Sequence, residues 1–165
     1  MAGNAIHRGL LVLPGRVYPC ALGRSGISVA KREGDGATPA GSLRLLGGYC
    51  RRDRQPLLAC LNGLQVIRAD DGWCDDPAHA AYNQAIRLPF GAGHERMMRE
   101  DRLYDVCLVL DWNVHPRARH RGSAIFLHIA GPGFAPTQGC IAVEPAVMRH
   151  LLEWMRPATI LRVSP

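Results

Sequence analysis

Short apolar runs alternate with glycine, proline and polar residues along almost the whole chain, a rhythm that predicts strands and turns rather than helices. The predicted strands are Leu10 to Leu13, Val17 to Leu22, Ser42 to Leu46, Leu64 to Ala69, Tyr104 to Trp112, Ala124 to Ala130 and Thr159 to Val163, many of them rich in Val, Ile and Leu. Short strands in this number predict a mainly β fold, a sandwich or a barrel. One segment has a different period. From Pro145 to Met155 the apolar residues Val147, Leu151, Leu152 and Met155 recur at helical spacing, with Pro145 suited to a first turn and Pro157 just beyond the end. This predicts one amphipathic helix near the C-terminus. Between Asp70 and Asp101 no period is clear, apart from a short helix predicted at His94 to Glu100, so the segment reads as a long, partly irregular excursion. No repeat, low-complexity tract or linker divides the chain, and residues 1–165 are expected to form a single domain.

The length of 165 residues gives one domain enough core to fold without metal or disulfide staples. With 47% hydrophobic and 21% charged residues the composition excludes a disordered or fibrous protein. A net charge of +6 favours an anionic partner without choosing among nucleic acid, membrane surface and acidic polymer. No apolar run approaches the length of a spanning helix, and Leu10 to Leu13 is too short for a signal h-region, so neither an integral membrane segment nor an export address is expected. The six cysteines form no CxxC pair, which argues against zinc-ribbon and thioredoxin-type sites, while their even number permits disulfides.

The chemistry concentrates at Thr137-Gln138-Gly139-Cys140, between a Gly/Pro-rich loop and the predicted helix. A nucleophilic thiol needs backbone N–H groups to hold an oxyanion and an imidazole to take its proton. Gly139 allows close backbone approach, and His128, twelve residues upstream in an apolar strand, is the candidate base. A lone Cys and a lone strand His are more often packing residues, so these two alone leave both readings open. Elsewhere the packing or solvated reading prevails. His115 and His120 flank Pro116, which discourages a metal-binding helix, and no metal site is expected. The basic stretch around them lacks interleaved aromatics, so no nucleic-acid platform is expected. Asp70, Asp71, Asp75 and Asp76 suit a peptide amine as well as solvent, and Tyr82, Asn83 and Asn113 are candidate cleft residues for substrate or equally turn formers.

The order strand-His, Gly/Pro loop, Thr-x-Gly-Cys resembles the L,D-transpeptidase catalytic domain (YkuD-like) family of bacterial cell-wall enzymes. A second segment agrees: Gly34-Asp35-Gly36-Ala37-Thr38-Pro39-Ala40-Gly41 ends in the Thr-Pro-x-Gly turn that the family places before a strand. Gln138 stands where many members have His, Ala142 where Arg or Asn is common, and the His-to-Cys spacing is short. The chain thus resembles a divergent proteobacterial branch, marked by the string Lys31 to Pro39 and linked to 1-3 cross-links between L-Ala and diaminopimelate. The resemblance implies a β-sandwich with one C-terminal helix and long loops. It implies a cysteine acyltransferase that joins peptidoglycan stem peptides through a thioester on Cys140, with His128 as base and with Gly139, Thr137 and Gln138 forming the nucleophile loop. It implies 1-3 linkage in preference to 3-3, no cofactor, a monomer, and a place in the periplasm or cell envelope. A cysteine carboxypeptidase or endopeptidase on the same scaffold, or an inactive wall-binding module, are the alternatives.

Overall fold

The computed structural model describes residues 5–55 and 63–165; Cys60, one of the cysteines open to disulfide pairing, lies outside them. The fold is mainly β. An eight-stranded sheet is built from β1 (Arg8–Leu13), β2 (Arg16–Ala21), β5 (Gly41–Cys50), β6 (Gln65–Val66), β10 (Val106–Leu110), β11 (Phe126–Ile129), β12 (Ile141–Val143) and β13 (Ile160–Val163). Its order is β1-β2-β12-β11-β10-β5-β13, with β6 also paired to β5. The first hairpin closes on Pro14-Gly15, where Gly15 has φ +73, and pairs Leu13 with Arg16. Proline followed by a positive-φ glycine is what a tight turn of this kind requires. β3 (Ile27–Ser28) and β4 (Thr38–Pro39) form a separate parallel pair, so the Thr-Pro-x-Gly segment supplies β4 and then opens β5.

All five residues of β10 are buried, because both faces of the sheet are covered. Alternation sorts them. Val106, Leu108 and Leu110 join Leu127, Ile129, Ile141 and Val143 in one core with helix α1 (Pro145–Trp154), whose Val147, Met148, Leu151 and Leu152 are buried. Cys107 and Val109 point the other way and join Phe126, Tyr104, Trp73 and Met97 in a second core. Helix α1 therefore starts at the predicted Pro145 and ends one residue early, with Met155 as its cap.

The second face is covered by what the sequence left irregular. β7 (Asp71–Cys74), β8 (Ala85–Arg87) and β9 (His94–Arg96) form a three-stranded antiparallel sheet of order β8-β7-β9. This corrects the helix predicted at His94 to Glu100: His94–Arg96 pairs with Gly72, Trp73 and Cys74 as a strand. Strands this short carry too few residues for alternation to show. Trp73 meets Phe126 edge to face, with ring centroids 5.2 Å apart, which fixes the small sheet over β11.

Because Leu127 is fully buried in the helix-side core, Leu127→Ala is expected to cost about 2–5 kcal/mol in urea denaturation. Leu10→Ala, on a side chain 71% exposed, should stay within about 0.5 kcal/mol of wild type.

Candidate active site

β11 puts Phe126 and His128 on the face covered by the small sheet. β12 runs parallel to β11 with Leu127 opposite Ile141 and His128 opposite Ala142, so one residue back Cys140 comes beside Phe126. Cys140 and His128 thus share a face, one strand apart and offset by two residues. A strand spacing of about 4.8 Å and a two-residue rise of about 6.6 Å separate their Cα atoms by roughly 8 Å, within reach of two side chains converging across the sheet.

Cys140 is buried rather than exposed as a loop nucleophile is expected to be, at 7% of its free surface. Its Sγ donates to the Ala124 carbonyl at 3.1 Å and accepts the Phe126 N–H at 3.4 Å. Ala124 has φ +51, a left-handed conformation that costs an alanine about 1–2 kcal/mol, and Asn83 Oδ1 helps hold it by accepting its N–H at 3.0 Å. Burial pushes the thiol up to about 12, and Glu95 adds to this; the Phe126 N–H, Lys31 and Arg99 work in the opposite direction. His128 is also buried, and burial brings its imidazole down to about 4. Its Nδ1 lies 2.8 Å from the Ile129 carbonyl oxygen. A carbonyl only accepts, so Nδ1 carries the proton and the lone pair is on Nε2. Thiol and imidazole are therefore both neutral at rest.

A ring of polar residues surrounds the pair. Tyr104 packs edge-on against His128, with centroids 5.3 Å apart, and its hydroxyl donates to Glu95. Arg99 lies over the Tyr104 ring at 5.0 Å and forks onto Asp101. Glu95 is held above the ordinary carboxylate range by burial, and so is Asp75, which also faces Glu33. Glu33 accepts hydrogen bonds from Tyr82 and, at 2.8 Å, from Ser123. Lys31 is buried and paired with Asp35. Of these, the Lys31 to Pro39 string, Asp75 and Tyr82 stood out in the sequence. Glu95 and Arg99 lie in the aperiodic excursion, where nothing short of the small sheet marks them.

The other candidates fall in different places. Thr137 Oγ1 donates to the Cys140 carbonyl at 2.6 Å and accepts the Gly139 N–H at 3.2 Å, tying the Thr137–Cys140 loop to itself. Gln138 is exposed. Asn83 accepts from Trp73 and Ala124 and donates to the carbonyls of Trp112 and Asn113, its full hydrogen-bonding capacity. Asn113 clamps its own loop through Ala118 and Gly122. His115 and His120 are exposed, and among the described residues no group of metal-ligating side chains occurs. Cys20, Cys74, Cys107 and Cys140 are free, buried thiols, and Cys50 is buried too. An apolar groove of about 1060 Å³ lies on the helix side, lined by Leu11, Leu127, Ile141, Met155 and Leu161. Leu127 and Ile141 alternate with His128 and Ala142, so this groove opens on the face away from the thiol.

A buried cysteine and histidine on one sheet face, the histidine aimed by a main-chain carbonyl, define a thiol-imidazole site on a β scaffold. The family model of the L,D-transpeptidase catalytic domain, YkuD, matches residues 11–163, nearly the whole chain, and the chain belongs to that family. Comparison with curated proteins gives no match, and comparison with solved structures gives none either.

Gly139 has φ +138, and a Cβ there would stand 2.8 Å from the Ala37 carbonyl oxygen, whereas at Gly133, φ +61, a Cβ would meet nothing within 4 Å. Gly139→Ala is accordingly expected to lose about 3 kcal/mol and Gly133→Ala about 1 kcal/mol, read by thermal unfolding.

Proposed function

We propose that the protein is a peptidoglycan L,D-transpeptidase in which Cys140 forms a thioester with the donor stem peptide and His128 handles the protons. The observation that carries this reading is the shared sheet face of Cys140 and His128, with Nδ1 held by Ile129 so that Nε2 is the free base. Cys140 Sγ attacks the carbonyl carbon of a donor peptide bond as its proton passes to Nε2. The tetrahedral oxyanion meets the N–H groups of Gly139 and Cys140, the first held by the 3.2 Å bond to Thr137. Collapse breaks the C–N bond, and the leaving D-amino acid takes the proton from Nε2. An acceptor amine then attacks the thioester carbonyl and gives its proton to Nε2, and the thiol is restored as the new amide forms.

Since both partners rest neutral, the proton moves during attack rather than before it. Acylation should therefore fall as pH drops through about 4, where His128 takes a proton and ceases to be a base. It should show no second inflection near neutrality, because the thiol is pushed up to about 12. A preformed thiolate-imidazolium pair would instead give a bell centred near neutral pH. The measurement is the rate of carbapenem adduct formation on Cys140 by intact-protein mass spectrometry. Cys140→Ala should give no adduct and no transfer, and His128→Ala should slow acylation by about 100-fold or more.

We favour an acceptor amine on L-Ala at position 1, joined to diaminopimelate at position 3. The short His-to-Cys connection supports this choice over the usual 3-3 link. The setting that fits is the cell envelope. Incubation with disaccharide-tetrapeptide and sequencing of the dimers tests both points: stems whose L-Ala amine is blocked should give no dimer, and shortened stems without dimers would mean hydrolysis instead of transfer.

A further inference from the structure

Lys31 has a side chain only 2% exposed, yet it ends in a charge. Its Nζ donates to Asp35 Oδ1 at 2.6 Å and to the Arg32 carbonyl at 2.7 Å. Asp35 is held in turn by the N–H groups of Ala37 and Arg32, at 2.8 and 2.7 Å. A buried ion pair of this kind is seldom better for stability than apolar side chains of the same volume, so its position is the informative fact. Lys31 Cε lies 3.6 Å from where a Cβ of Gly139 would stand and 3.1 Å from where a Cβ of Gly122 would stand. Gly122 leaves room for the lysine stem, which runs within ordinary contact distance of Gly139, the residue that leads into Cys140.

The charges around the sulfur explain what an ammonium does there. Glu95 on β9 opposes a negative sulfur, Arg99 beyond β9 favours it while forked onto Asp101, and Lys31 favours it. Tyr104, Cys107 on β10 and His128 on β11 face the same region as neutral groups. Lys31 is thus the buried cation whose stem lies beside Gly139, next to Cys140.

We infer that Lys31 is a positioning residue for acyl transfer: its ammonium, fixed beside the Gly139–Cys140 peptide, favours negative charge on the Cys140 sulfur and on the oxyanion formed by its attack, and Asp35 sets how much of that charge is felt. The inference rests on the reading of Cys140 as the nucleophile. It gives the two members of the ion pair opposite effects on the thiol, whereas a purely structural pair gives both the same effect.

The test is the rate of Cys140 alkylation by iodoacetamide between pH 7 and 10, corrected with Cys140→Ala, in folded protein checked by circular dichroism. Lys31→Met should slow alkylation by about threefold or more, Asp35→Asn should speed it by a similar factor, and the double variant should return near wild type. Slowing in both single variants, or no change in either, overturns the inference. Should Lys31→Met fail to fold, Asp35→Asn decides alone: faster alkylation supports the role, and unchanged or slower alkylation removes it. Alkylation needs no stem peptide, so it separates the two claims. If the variants show this charge order but wild-type protein forms no cross-linked dimers, the transfer reading alone is lost; dimers without the charge order remove the role of Lys31 alone.

Discussion

Three backbones meet just before Cys140, and the arrangement around the thiol depends on how closely they approach. Thr137 donates its N–H to Leu22 and accepts that of Arg24, each at 2.9 Å, which bridges the loop to the end of β2. Gly23 donates to Thr38 Oγ1 at 2.8 Å, and a Cβ on Gly23 would stand 2.2 Å from the Gly36 carbonyl oxygen. Gly139 packs on the Ala37 carbonyl in the same way. Each contact admits only glycine, since any side chain would drive main chain from main chain. The Thr-Pro-x-Gly segment and the Thr-x-Gly-Cys loop lie a hundred residues apart in the chain and are two sides of this one junction.

Much of this was legible in the sequence, and the failures have a physical pattern. The long strands and helix α1 declared themselves because their alternation or helical period runs for several residues and their burial is one-sided or complete. The small sheet β8-β7-β9 did not. Asp71–Cys74 places aspartate and glycine beside tryptophan and cysteine, and only the pairing with Ala85–Arg87 and His94–Arg96 makes it a strand. Motif chemistry singled out Cys140 and His128, but no local pattern reveals that the thiol is buried. That property comes from Phe126, Trp73 and Tyr104 closing over it, residues scattered across some fifty positions and brought together only by sheet register.

The sheet divides its labour by face. Alternate residues of β10 and β11 give one side to the apolar core under α1 and the other to a core that mixes Phe126 and Val109 with Cys107, His128 and Tyr104. Polar groups on that second side are satisfied almost entirely within the protein: Tyr104 on Glu95, Tyr82 and Ser123 on Glu33, Trp73 on Asn83. Such a network holds its members in single orientations around the neutral thiol and imidazole.

The imidazole of His128 is oriented by the carbonyl of the very next residue, a group present whatever amino acid occupies position 129. Where a carboxylate side chain does this work, a single codon change can remove it and leave the imidazole in the other tautomer. Here inheritance has no such handle. Drift can reach the ring only through the histidine itself or the packing around it, and its aim passes through substitutions at position 129 that keep β11 a strand.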